Sequence, residues 1–115
     1  MLISLFAPAL STYHRNLFGA KVNQKLIESI MDGMVAKRMT VDGKPTSLCD
    51  LGYCDVGLDD NWQACRSKDA APGMNYHDKD GKPIINLKLF PDLGAMVDHA
   101  HSLKLKAGWC TYYRC

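Results

Sequence analysis

The segment Tyr53–Leu58, YCDVGL, followed at once by Asp59 and Asp60, decides the fold of this chain. Its short apolar run predicts a β-strand that the two aspartates end abruptly. A second run, Leu105–Cys110 (LKAGWC), predicts another strand, and a helical pattern lies between the two. A strand, a helix and a strand in this order predict a right-handed parallel crossover unit, and therefore an α/β fold.

Two segments have the spacing of amphipathic helices. The first covers residues 23–39, with Asn23 as its N-cap. Its apolar stripe comprises Leu26, Ile27, Ile30, Met31, Met34 and Val35. The second begins around Pro91 and Asp92, residue types that suit a first helical turn. Its apolar face comprises Leu93, Met96, Val97 and Ala100.

The segments between these elements are rich in turn signals. Val41–Pro45 contains Asp-Gly followed by proline, which predicts a turn. Residues 61–86 form one long polar stretch, and loops of such length are usually functional or disordered. Within it, His77–Gly81 resembles the start of a calcium loop but lacks the third oxygen ligand and the closing glutamate, so it predicts a solvated turn. His99 and His101 lie two apart on a helix, face different ways and therefore form no metal pair.

Composition limits the possible partners. The chain has 115 residues, 47% of them hydrophobic and 23% charged, which is typical of one globular domain. The net charge is +2 and no Lys/Arg run exceeds two residues, which argues against a nucleic-acid partner. The apolar stretch Leu2–Leu10 is far too short to span a bilayer. It fits the core of a secretory signal with a small-residue site at Ala7–Ala9, a buried first strand, or a start inside a longer gene.

The chain contains five cysteines, Cys49, Cys54, Cys65, Cys110 and Cys115. Because the number is odd, at least one of them has no partner within the chain. No Cys-x-x-Cys pair is present, so the spacing matches no zinc template, and no metal or cofactor is expected. The cellular compartment stays open.

The candidate site residues follow the predicted strands, because ligands in α/β folds meet the carboxyl ends of strands. Asp59 and Asp60 are costly to bury unpaired, and at an open strand end they can accept hydrogen bonds from sugar hydroxyls. The alternative is a loop start or a helix cap. Trp62 and Trp109 can stack on a sugar ring or fill the core. The residues alone favour a core position for Trp109 and leave Trp62 undecided.

Three segments together resemble glycoside hydrolase family 27, which contains the α-galactosidases and α-N-acetylgalactosaminidases. They are NLFGAKVNQKLI (16–27), DLGYCDVGLDDNWQAC (50–65) and HDKDGKPIINLKLFPDLGAMVDHAHSLKLKAGW (77–109). The resemblance implies a (β/α)8 TIM barrel to which residues 16–115 contribute roughly the first three β/α units. Residues 1–15 are a divergent N-terminal segment.

The resemblance also implies a function, the retaining hydrolysis of terminal α-galactosyl residues. In the family the nucleophile lies on the fourth strand and the acid/base on the sixth, beyond Cys115, so we expect this chain alone to be inactive. By the same resemblance Asp59 and Asp60 hold galactose hydroxyls, and Trp62 and Trp109 are candidate substrate-binding residues. The alternative is a non-catalytic galactose-binding or interaction module with the same fold.

The chain departs from the family pattern in three places. Ser11–Arg15 stands where relatives have a tryptophan-rich first strand, and Asn61 stands where they commonly have cysteine, which puts one disulfide in doubt. After Trp109 the family's Asn-Asn-Cys is absent. Both ends therefore resemble the edges of an incomplete or spliced gene model. The preference for galactose or N-acetylgalactosamine stays open.

Overall fold

The computed structural model describes residues 19–58 and 60–109, so the predictions for residues 1–18, Asp59, Cys110 and Cys115 lie outside the described residues. The described part contains two α-helices and two two-stranded sheets. In chain order the elements are α1 (Gln24–Val35), β1 (Met39–Val41), β2 (Lys44–Thr46), β3 (Asp55–Leu58), α2 (Leu93–Ser102) and β4 (Lys106–Trp109). Short 3-10 turns lie at Gly19–Lys21 and Cys49–Leu51.

Helix α1 begins as predicted and ends early. The Asn23 side chain accepts a hydrogen bond from the Leu26 amide at 3.0 Å, which is the expected N-cap. Ile27, Met31 and Met34, spaced one turn apart, are buried. The prediction that the helix continues to residue 39 is wrong, because Ala36 is extended (φ −68°, ψ 127°) and the chain turns into β1.

Strands β1 and β2 form an antiparallel hairpin around the predicted turn. Met39 pairs with Thr46 and Val41 with Lys44. The two residues between the strands, Asp42 and Gly43, both have positive φ (49° and 75°), as a two-residue hairpin turn requires. The turn prediction is therefore confirmed, although the two flanking strands were not predicted.

Strands β3 and β4 pair in parallel and α2 connects them, which confirms the predicted crossover. The register runs from Asp55 opposite Lys106 to Leu58 opposite Trp109. Asp92 is the N-cap of α2, since its carboxylate accepts from the Ala95 amide at 2.8 Å.

Both strands begin later than the sequence predicts, because compact turns precede them. Before β3, Gly52 adopts φ 95° at the end of a 3-10 turn, and the Tyr53 amide donates to the Leu48 carbonyl. A disulfide joins Cys49 to Cys54 across this turn. Cys65 is disulfide-bonded as well.

One core joins the two helices and the parallel strands. Its members are Val22, Ile27, Met31, Met34, Val56, Leu58, Trp62, Phe90, Leu93, Met96, Ala100 and Leu105. Both helices contribute, and between them the Asp32 carboxylate meets the His99 ring at 2.8 Å. The described residues are thus a mixed α/β fold around one parallel crossover. Among them, no helix has the length and apolar character needed to cross a membrane.

Candidate functional site

The carboxyl ends of β3 and β4 lie side by side. Because Leu58 pairs with Trp109, the residues that follow β3 leave the sheet at the edge where Trp109 lies. We call Asp60, Trp62 and Trp109 the strand-end cluster. Asp59, the other predicted member of the site, lies outside the described residues.

Asp60 is half-buried, two residues beyond β3. Within residues 19–58 and 60–109 its carboxylate makes no hydrogen bond or ion pair. An ionised carboxylate accepts hydrogen bonds through two oxygens and donates none. Partial burial without a partner is unfavourable, so the carboxylate is suited to accept hydrogen bonds from the hydroxyls of a ligand.

The two residues after Asp60 fix the backbone. Asn61 adopts φ 72°, a left-handed conformation that asparagine tolerates better than most residues. Its side-chain amide donates to the Gly19 carbonyl at 3.4 Å. The Trp62 carbonyl then accepts from the Asn86 amide at 2.7 Å, which closes the base of the long loop. The chain is thus held directly after Asp60, while the Asp60 carboxylate has no partner within residues 19–58 and 60–109.

The two tryptophans occupy unlike positions. Trp62 is 2% exposed and belongs to the core, whereas Trp109 is 41% exposed. The ring centroids lie 6.4 Å apart with an angle of 56° between the planes, within the range of attractive aromatic pairs. The core interpretation of Trp109 is wrong. Trp62 lies in the interior instead, at the base of the long loop, and Trp109 is the more exposed of the two.

The loop of residues 61–86 is ordered by pairing with itself. Isolated bridges join Gln63 to Ile85 and His77 to Pro83. The Ile84 amide also donates to the Tyr76 carbonyl at 2.7 Å. The loop is therefore compact and lies beside the strand-end cluster.

The tip of this loop is the predicted turn. The Asp78 carboxylate accepts from the amides of Asp80 and Lys82, each at 2.9 Å. The backbone hydrogen bond from Lys82 is the main reason that the pKa of Asp78 lies below its ordinary value. Among the described residues, no group of three or more His, Cys, Asp or Glu side chains could hold a metal ion.

The two histidines of α2 face different ways, as predicted. His99 is half-buried against Asp32, and His101 is exposed.

Two residues of interest lacked a direct sequence signal. Asn61 stood out only as a departure from the family's cysteine. Gln63 is 2% exposed, and in the described part of the chain neither polar atom of its side chain has a hydrogen-bond partner. Buried amides are nearly always satisfied, so Gln63 is an exception that no local pattern indicates.

The fold and the strand-end cluster define a broad class of protein. It is an α/β protein whose polar groups follow the carboxyl ends of parallel strands, where such folds bind ligands. Solved structures that this chain resembles include α-galactosidases. α-Galactosidase I from Mortierella vinacea matches with 27% identity and a TM-score of 0.61, over 84% of this chain and 20% of that one. The predicted resemblance to α-galactosidases is therefore confirmed.

Two structures from Saccharomyces cerevisiae match at the level of the fold. An α-galactosidase matches with 24% identity and a TM-score of 0.60, over 82% of this chain and 17% of that one. An α-galactosidase with raffinose matches with 21% identity and a TM-score of 0.61, over 90% and 21%. The chain thus spans about a fifth of the length of these proteins. No protein-family model and no curated protein matches it.

Proposed function

We propose that this chain is part of an α-galactosidase-type glycoside hydrolase and that the strand-end cluster binds a terminal α-galactosyl residue. The observation that carries the proposal is the half-buried carboxylate of Asp60, which has no hydrogen-bond or ion-pair partner among the described residues and lies at the edge where Trp109 is exposed. The similarity to α-galactosidases, one of them solved with raffinose, supports this ligand class.

Each residue has a distinct role in the proposal. Asp60 and its neighbour Asp59 accept hydrogen bonds from adjacent sugar hydroxyls, and hydrogen bonds to charged groups are worth about 1.5–3 kcal/mol each. Trp109 offers ring surface to the apolar side of the sugar. Trp62 is buried and belongs to the same site through its contact with the Trp109 ring.

In the proposal, one part of the protein binds the sugar and another part cleaves the glycosidic bond. Retaining hydrolysis needs two carboxyl groups about 5–5.5 Å apart, one as nucleophile and one as acid and then base. By the family resemblance the two carboxyl groups lie on later strands of the barrel. Residues 16–115 supply the first β/α units, and residues 1–15 are a divergent N-terminal segment. In this account residues 16–115 contribute sugar binding.

The second candidate is a non-catalytic galactose-binding module. The observation that favours it is the ordered loop of residues 61–86, whose base closes directly beside Asp60 without any further strand. A chain that folds cooperatively and binds galactose tightly by itself would support the module. A chain that binds weakly and gains affinity when later strands are supplied would support the enzyme part.

Calorimetric titration of the 115-residue chain with methyl α-D-galactoside tests the shared claim. We expect a dissociation constant of about 1 mM, which corresponds to about −4 kcal/mol. Asp60→Asn should weaken binding by about tenfold or more, because the neutral amide is a poorer acceptor. Asp55→Asn is the matched control, since Asp55 is an exposed aspartate at the opposite end of β3. Equal binding by Asp60→Asn and the unaltered chain would contradict the proposal.

A further inference from the structure

We propose that Asn61 is a positioning residue, which holds the Asp60 carboxylate in place through its own side chain and backbone conformation. This inference rests on the proposed function of Asp60 as a sugar ligand. It adds Asn61, a residue to which the proposed function assigns no contact with the sugar.

The first step is the backbone. Asn61 has φ 72°, a left-handed backbone conformation that is strained for most residues with a Cβ. Asparagine is one of the few residue types other than glycine that tolerate it. This conformation bends the chain between β3 and the loop of residues 61–86. A residue that avoids the left-handed region would redirect the bend, and with it the residue directly before it.

The second step is the tether. The Asn61 amide nitrogen donates to the Gly19 carbonyl at 3.4 Å, across 42 positions of sequence. Gly19 begins the 3-10 turn that leads into α1, so the hydrogen bond ties the end of β3 to the start of the helical layer. At this length the bond is weak, and its loss should have a modest and local effect.

The side chain of Asp60 differs from its two neighbours in having no anchor among the described residues. Asn61 is tied to Gly19 and Trp62 to Asn86, but the Asp60 carboxylate has no partner in the described part of the chain. A carboxylate that formed its own anchor would have to give up that anchor to bind a ligand. When the neighbour supplies the anchor, the carboxylate is held in place and both oxygens stay available, which lowers the ordering cost of binding.

Two substitutions remove the tether and keep the left-handed backbone conformation, so they test the contribution of the Asn61 side chain. Asn61→Gly keeps the left-handed conformation and removes the donor. Asn61→Asp keeps the side-chain length and the tolerance of positive φ, and also removes the donor. Asn75→Asp is the matched control, because Asn75 is exposed in the same loop and its side chain makes no hydrogen bond with other described residues.

The deciding measurement is the ¹⁵N order parameter of the Asp60 amide in the free chain. In both Asn61 variants we expect it to fall modestly below the value of about 0.85 for rigid backbone, while that of Val56 in β3 and the melting temperature stay nearly unchanged. Loss of a merely structural contact would lower the melting temperature and loosen Val56 as well. An unchanged order parameter at Asp60 in both variants would overturn the inference.

Titration with methyl α-D-galactoside gives the functional arm. Both Asn61 variants should bind about three- to tenfold more weakly, the range expected for one net hydrogen bond, and Asn75→Asp should bind normally. If Asp60→Asn abolishes binding while both Asn61 variants bind as tightly as the unaltered chain, the inference fails and the proposed function stands. If no form binds the sugar, the proposed function fails, and the order parameters still decide whether Asn61 holds Asp60.

Discussion

At the scale of single residues, Asp60 differs from two other aspartates of the chain, Asp50 and Asp78. Asp50 and Asp78 are bound by backbone amides, and the pKa of each lies below its ordinary value, mainly because of hydrogen bonds from Ser47 and Lys82 respectively. Asp60 has no such partner among the described residues. Asp50 and Asp78 order turns, and Asp60 is the aspartate for which we propose a ligand.

Lowering the pH should loosen the tip of the long loop. The pKa of Asp78 is depressed in the folded chain, so the ionised side chain stabilises the folded loop. This contribution to stability is fully present above the unfolded pKa, about 4, and is lost as pH falls through the folded value. NMR titration of the side-chain carboxyl should give a pKa below that of a free aspartate. Asp78→Ala should remove the pH dependence of the protection factors for amide exchange at Asp80 and Lys82. A carboxyl that titrates at or above the ordinary aspartate value would refute this.

Sequence patterns at this scale predicted caps and turns well and side-chain exposure poorly. Asn23 and the Asp42–Gly43 turn follow local rules, because the side chain or the positive φ acts within a few positions. Asp92, which was predicted in the first helical turn, lies one residue before it as the N-cap. The exposure of Trp109 and the burial of Trp62 depend on where a 26-residue loop closes. No local pattern contains that information.

At the scale of elements, the two helices and the parallel strands were predictable because apolar spacing repeats along them. The hairpin strands β1 and β2 were not, since each has three residues and almost all of them are exposed, so no buried face alternates. The ends of α1 and β3 moved inward because neighbouring turns compete for the terminal backbone groups. Element type followed from the pattern, and element length followed from the surroundings.

Truncation of a buried residue in α1 should be costly. Met31 is fully buried between the two helices' apolar faces, so Met31→Ala should lower the free energy of unfolding by about 2–5 kcal/mol. Ser29→Ala, on the exposed face of the same helix, should change it by less than about 0.5 kcal/mol. Chemical denaturation of both variants checks this. Equal stabilities would contradict the assigned core.

The contact between the two helices should show measurable coupling. The Asp32 carboxylate lies 2.8 Å from the His99 ring nitrogen, and both side chains are partly exposed. A double-mutant cycle with Asp32→Ala and His99→Ala should give a coupling of about 0.2–1 kcal/mol, the range of exposed pairs. Additive effects of the two substitutions would mean that the helices do not meet through this pair.

At the scale of the whole molecule, the chain resembles α-galactosidases over more than four-fifths of its own length and about a fifth of theirs. The sequence motifs were sufficient to predict this resemblance, because they lie on the strand ends and helix starts that set the fold. The barrel that the resemblance implies remains a proposal, since the described strands form only paired sheets. A parallel pair supplies one edge of a site, and a closed barrel would supply the rest.

The 115-residue chain should bind sugar without cleaving it. With 4-nitrophenyl α-D-galactoside we expect no release of nitrophenol above the uncatalysed rate, because the proposed chemistry needs a pair of carboxyls from later strands. A longer protein that includes such strands is the positive control. Turnover by the 115-residue chain that survives further purification would show that its own carboxylates perform the reaction.

The central claim is that Asp60 and Trp109 form one galactose-binding edge at the carboxyl ends of β3 and β4. The most direct measurement is an NMR titration of the labelled 115-residue chain with methyl α-D-galactoside, following the Asp60 carboxyl carbon and the Trp109 indole together. The account predicts that both signals shift with one shared dissociation constant, while Asp55 at the opposite end of β3 does not respond. Shifts confined to Asp55 or to the hairpin, or no shift at Asp60 at saturating sugar, would contradict it.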